Sequence, residues 1–250
     1  MSVISGINVI ADAVPSPVPG VAPRYTYEEF EVAPTAIKSD GKTAASGTTG
    51  DTNLLTFERT RFEYHIKGTQ TINVPTFSAS GLDIGMDQTD NDGVELSQGI
   101  TARSKAAFVA GTDSFFFRVQ FSIEDVSGTD DCAIGFRTAE AYQANFDDYN
   151  NAVCLNVISG DIKIETILNN AATATTDTTD NWADGETHTL EVIVNKDRTV
   201  TFKIDGVAPT VTAAYTCDSG DVLVPFFFFL HASDVAGVVN IKSWECGLIN

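Results

Sequence analysis

The stretch Trp182-Ala183-Asp184-Gly185-Glu186-Thr187-His188-Thr189-Leu190-Glu191-Val192-Ile193-Val194 decides how this chain reads, together with Thr199-Val200-Thr201-Phe202-Lys203-Ile204-Asp205-Gly206 just beyond it. Leu190, Val192 and Val194 alternate with Glu191 and Ile193, and Val200, Phe202 and Ile204 alternate with Thr201 and Lys203. A period of two sends successive side chains to opposite faces of an extended strand, one face apolar and the other wet. Asn195-Lys196-Asp197 between the runs is turn chemistry. The two runs therefore predict an antiparallel hairpin.

The same period extends outward. Phe62, Tyr64 and Ile66 alternate with Arg61, Glu63 and His65; Leu82, Ile84 and Met86 with Asp83, Gly85 and Asp87; Phe117, Val119, Phe121 and Ile123 with Arg118, Gln120, Ser122 and Glu124. Turn residues such as Asp90-Asn91-Asp92-Gly93, Ser159-Gly160-Asp161 and Asp205-Gly206 separate such runs. Thr, Val and Ile make up 70 of the 250 residues, whereas Leu and Met make up 12. Side chains stiff at χ1 fit a pleated surface better than a helix, which excludes a helical bundle. Pro225-Phe226-Phe227-Phe228-Phe229-Leu230 does not alternate, so it predicts a strand covered on both faces, deep between two sheets. Only Ala139–Phe146 reads as helical, over two turns at most, and the threonine-rich Ala172–Asp180 reads as a loop. With no repeat or boundary inside 25–250, that segment predicts one all-β, two-sheet antiparallel sandwich. Phe117, Phe121, Val192, Phe202 and Phe227 are expected in its core.

Residues 1–24 differ. Four prolines fall within Pro15–Pro23, a spacing that favours an extended, polyproline-like spacer. Before it, Val3, Ile4, Ile7, Val9 and Ile10 form an apolar start with no basic residue before Arg24. A secretory signal needs a basic start and an unbroken apolar run, so this segment reads as mature sequence: a frayed tail or, the reading carried forward, an extended arm that orders on a partner subunit.

The chain carries 34 acidic against 15 basic residues, a net charge of −19. That field repels nucleic-acid phosphates and anionic lipid, and no run reaches the roughly 18 apolar residues that span a bilayer. Cys132, Cys154, Cys217 and Cys246 lie far apart with no CxxC, and His65, His188 and His231 are remote from them in sequence. They are expected as free, buried thiols rather than a disulfide framework or a zinc site.

The hairpin at 182–207, with Gly237–Gly247 as a closing strand, resembles the corresponding parts of concanavalin A-like (lectin- and laminin-G-type) jelly rolls. Tyr64–Thr71, Asp87–Glu95 and Ser127–Asp131 resemble structural proteins of tailed bacteriophages. Together these likenesses imply a jelly roll with an N-terminal arm and a non-enzymatic virion role. The main expectation is a capsid decoration or cement protein, made in the host cytoplasm. Its partners would be the major capsid protein and further copies of itself, as a homo-oligomer such as a trimer. The alternative implied is a glycan-binding module on a capsid, tail or fibre, since this fold hosts both.

No Glu-x-Asp-x-x-Glu set provides the paired carboxylates of a glycosidase of this fold; Glu29 and Glu31 share a strand face but nothing extends them. No Gly-x-Ser-x-Gly is present, and no cofactor is required. Asp87, Asp90 and Asp92 offer hard oxygen ligands before Gly93, but the EF-hand register fails, and a plain turn is the expectation there and at Asp130-Asp131.

Overall fold

The structure is a computed structural model that describes residues 2–4, 7–9, 25–30, 38–39, 52–57, 60–68, 76–84, 89–232 and 238–249. Two antiparallel sheets contain all of its strands. In the first, the strand order is Ser2–Ile4, Ile7–Val9, Val239–Ile249, Ser114–Ile123, Thr187–Val194 and Val200–Ile204. Tyr25–Glu29 and Gly81–Asp83 also pair with Val239–Ile249, on the side away from Ser114–Ile123. The second sheet runs Ala174–Asn181, Asp161–Ile167, Ala152–Ile158, Thr129–Thr138, Val222–His231, Gly93–Ser97, Thr60–Lys67, Thr52–Phe57 and Lys38–Ser39. The decisive hairpin forms as the alternation predicts, with Val192 opposite Phe202.

The sheets stack on one apolar core that contains all five expected residues, Phe117, Phe121, Val192, Phe202 and Phe227. Trp244 lies fully buried there, its ring 4.4 Å from that of Phe117 and edge-on to Phe62 at 5.2 Å. The four cysteines are free and buried, and burial pushes the Cys217 and Cys246 thiols up to about 12.

Four expectations are corrected. Val222–His231 is a central strand of the second sheet rather than a layer between the sheets. Phe227 and Phe229 face the main core, while Phe226, Phe228 and Leu230 face outward into a second apolar cluster with Phe146 and Tyr149. Those two come from the segment after Thr138, which holds a single 3-10 turn, Phe146–Asp148, in place of the expected helix. Its carbonyls explain why: those of Thr138 and Glu140 accept from Arg137 at 3.0 and 3.3 Å, and that of Gln143 accepts from Lys67 Nζ. A helix over 139–146 would engage the Thr138 and Glu140 carbonyls in its own ladder and withhold them from the buried Arg137.

The threonine-rich stretch is the edge strand Ala174–Asn181, not a loop. β-branched threonines suit an extended edge, and Thr178 is buried with its hydroxyl on the Ile162 carbonyl. Asp131 likewise belongs to a strand, opposite Leu230, rather than to a turn.

At the N-terminus, Ser2–Ile4 and Ile7–Val9 form a hairpin in the first sheet, and Val9 pairs with Ile249. The side chains of the arm candidates Val3, Ile4, Ile7 and Val9 lie outside the described residues, as do Ile10 and the proline spacer.

Candidate functional site

The register of the first sheet aligns one row of polar side chains across five strands of its outer face. Tyr27 sits opposite Glu245, Glu245 opposite Arg118, Arg118 opposite Glu191, and Glu191 opposite Lys203. Arg118, Glu191, Lys203 and Glu245 come from the polar phase of alternating runs, so the pattern that buries Phe117, Val192, Phe202 and Trp244 collects these charges on the other side. Opposite charges alternate along the row, which is the favourable cross-strand arrangement.

Glu245 is saturated. Arg118 Nε donates to Oε2 at 2.7 Å, Arg118 NH2 pairs with the same oxygen, and Tyr25 Oη donates to Oε1 at 2.8 Å. Burial, together with the hydrogen bond and charge of Glu245, pushes the Tyr25 phenol well above its ordinary value. Arg118 also lies 5.7 Å from the centre of the Phe116 ring, a cation–π arrangement. Glu191 differs: Lys203 Nζ is 3.3 Å from Oε2, while Oε1 is buried with no hydrogen-bond partner among the described residues. Glu191 is 2% exposed and Arg118 7%.

Beside this row a cleft of about 380 Å³ is lined by Arg118, Thr189, Glu191, Asp205 and Gly206. Its rim is the turn after Val200–Ile204, where Asp205 (φ 50°) and Gly206 (φ 81°) both take the left-handed conformation that joins a tight hairpin. The turn aims Asp205 back at the neighbouring strand. Oδ1 accepts from the Thr189 amide at 2.8 Å and Oδ2 pairs with His188 Nδ1 at 2.7 Å. Glu186 holds the other ring nitrogen at 3.1 Å. Partial burial works to lower the His188 pKa, but these two carboxylates outweigh it and raise it above its ordinary value. At the opposite end of the row Tyr27 is 48% exposed.

The second sheet carries a comparable cluster that is closed. Glu95 accepts from Lys67 Nζ at 3.1 Å, Arg137 Nε at 2.7 Å and the Tyr149 hydroxyl. Tyr142 covers it, stacked on His65 at 4.2 Å and donating to Glu63 at 2.8 Å. Lys67, Glu95 and Arg137 are at most 1% exposed. Burial works to raise the Glu95 carboxyl, but Arg137 and Lys67 prevail and hold it below its ordinary value.

Of the weak metal candidates, Asp87 lies outside the described residues. Asp90 is exposed and accepts from Asn91 at 2.8 Å, whereas Asp92 is buried. Among the described residues no three His, Cys, Asp or Glu side chains are placed to hold a metal ion. Glu29 is exposed on Tyr25–Glu29, and Glu31 lies outside the described residues. None of the cleft residues was singled out as a site from the sequence. The signal available was the polar phase itself, but nothing in it distinguishes a floor of a cleft from a solvated face.

No protein-family model matches the sequence, and no curated protein does. Among solved structures, the chain is similar to a point mutant of the Emp46p carbohydrate recognition domain: TM-score 0.51, 9% identity, 74% of this chain and 87% of that one covered. The metal-free form of that domain gives a TM-score of 0.50 at 10% identity, with the same coverage. SO2946, a protein of unknown function from Shewanella oneidensis MR-1, gives 0.50 at 12% identity over 90% of this chain and 86% of that one. These comparisons lend no support to a phage origin or a decoration role. At such identities the likeness is one of architecture: the chain folds as a two-sheet antiparallel jelly roll of the concanavalin A-like kind.

Proposed function

We propose that this chain is a non-catalytic, lectin-like carbohydrate-binding module whose ligand lies over the outer face of the first sheet. The observation that carries the reading is the row from Tyr27 to Glu191. An exposed aromatic ring and a polar cleft are held in register on one rigid sheet. A sugar offers a flat apolar ring face and a rim of hydroxyls, and such a row meets both. Strands hold such groups more firmly than loops do, and the cleft volume falls within the range of small-ligand sites, about 300–1,000 Å³. The resemblance in fold to a carbohydrate recognition domain supports the same reading.

Glu191 and Glu245 stand two strand spacings apart, about 10 Å. Arg118 occupies the strand between them and is bound to Glu245. The space that a glycosidase reserves for its attacking water is thereby filled. A capsid-cement role, with the major capsid protein and further copies of the chain as partners on a virion, rests on the sequence likeness alone, and we rank it second. The test is a glycan array probed with the full chain and with Tyr27→Ala. Binding to a defined glycan class is expected, at least about tenfold weaker in the variant with an unchanged melting temperature. If the full chain binds no glycan, or Tyr27→Ala binds like the parent, the reading fails.

A further inference from the structure

We propose that the cleft is a subsite for an amino sugar, with the Glu191 carboxylate receiving the ammonium group of a 2-amino-2-deoxyhexose unit. The proposal rests on the glycan reading above and narrows its ligand class.

The argument begins with the two glutamates that flank Arg118. Both are buried carboxylates in the same cross-strand row, and they differ in how they are satisfied. Both oxygens of Glu245 are engaged by Arg118 and Tyr25. Glu191 has one oxygen near Lys203, and its other oxygen is buried and accepts from nothing among the described residues. A buried acceptor without a donor is costly in a native protein and calls for a partner. Glu191 is one of the residues that line the cleft and its side chain is 3% exposed, so a ligand seated there supplies that donor once the carboxylate turns about its side-chain torsions to meet it.

Charge then selects the donor. Around the cleft and its rim four carboxylates, Glu186, Glu191, Asp205 and Glu245, stand against Arg118, Lys203 and His188, so an excess negative charge remains even with His188 protonated. Arg118 is committed to Glu245 and Lys203 is partly solvated, with 24% of its side chain exposed. The chain as a whole carries −19. An anionic sugar would enter against this field, whereas a cation is drawn toward it. A neutral hydroxyl would fill the hydrogen bond and leave the charge; an ammonium group supplies both donor and countercharge, and charge-assisted bonds of this kind are the stronger ones. Asp205 contributes to the field rather than to contact, because the Thr189 amide and His188 already engage its oxygens. Tyr27 lies three strand spacings from Glu191, about 14 Å, so the full site spans an oligosaccharide rather than a single ring.

The experiment is calorimetric titration of the full chain, at slightly acid pH where the sugar amine is charged. The probes are three trisaccharides: de-acetylated glucosamine, its N-acetylated counterpart, and a uronate. The glucosamine trimer is expected to bind at least about tenfold more tightly than the N-acetylated one, and the uronate not measurably. Glu191→Gln keeps the shape and removes the charge, and should abolish the preference. Lys203→Met leaves the buried carboxylate in place, removes its competing cation and should widen the preference. Equal binding of the amino and N-acetylated trimers, or a preference that survives in Glu191→Gln, overturns the amino-sugar assignment while the glycan reading stands. Absence of binding to all three, alongside a blank glycan array, overturns both.

Discussion

Each sheet carries a cluster of ionised side chains on its outer face, and the two clusters meet different fates. On the second sheet Lys67, Glu95 and Arg137 lie beneath the segment that follows Thr138, and the Glu95 carboxylate is fully engaged by Lys67, Arg137 and Tyr149. On the first sheet Glu245, Arg118, Glu191 and Lys203 line up in register and a cleft is lined by Arg118 and Glu191; one oxygen of Glu191 is left over, as Arg137 Nη2 is in the other cluster. The same residue types thus make a strut in one place and a receptive surface in the other. What differs is the cover: Tyr142, Phe146 and Tyr149 close the second sheet. At the cleft of the first, exposed Asp205 and Gly206 form the rim. Both sets of charges are buried, but those lining an open cleft can exchange partners with a ligand, whereas those beneath a covering segment are held to each other.

The comparison is most sharply tested at Glu95. Glu95→Ala leaves two cations buried without their shared anion, and should lower stability by about 3–5 kcal/mol in denaturant unfolding. A loss under about 1 kcal/mol would mean that the closed cluster is no strut. Arg118→Met removes the corresponding centre of the other row. The expected loss is smaller, about 1–3 kcal/mol, because water entering the cleft can solvate the glutamates it leaves behind. A loss as large as that of Glu95→Ala would erase the distinction between covered and cleft-lining charges.

The smallest effect concerns Asp131, further out on the covered sheet, where the neighbouring charges are acidic. Burial and the charges of Glu165, Asp130 and Asp147 raise its pKa from 3.8 to about 7, against a 2.6 Å hydrogen bond from Asn156. Between those two values the folded state holds a proton that the unfolded chain releases. Stability due to this group is therefore greatest below the lower value and declines as pH rises to the upper one. Asp131→Asn keeps the acceptor for Asn156 and should raise stability increasingly as pH climbs toward 7, and by nothing near pH 4. A gain that does not depend on pH would show that the carboxylate carries no such strain.

Much of the architecture is legible in single strands. The period of two at 190–194 and 200–204 specifies which side chains face the core, and the turn residues specify where the chain reverses, because both effects act over a few residues. The burial of the cysteines follows from their spacing and lack of local partners. The segment 139–146 misleads for the opposite reason. Its local preference is helical, but the buried cations Lys67 and Arg137 claim its carbonyls, and a long-range demand overrides a weak local one. The threonine-rich run reads as a loop until Asp161–Ile167 is placed beside it, since an edge strand draws its ladder from a neighbour.

The candidate site illustrates where the division falls. Alternation alone assigns Arg118, Glu191 and Lys203 to the polar phase of their strands and separates them from Phe117, Val192 and Phe202. Only the tertiary register brings Arg118 to Glu245, 127 residues away, and Tyr25 to the same carboxylate across 220. Strand identity is a local property of side-chain period and turn chemistry. Which strands become neighbours, and what comes to cover the polar face, is settled by contacts between distant segments, and the pattern along one strand holds no record of them.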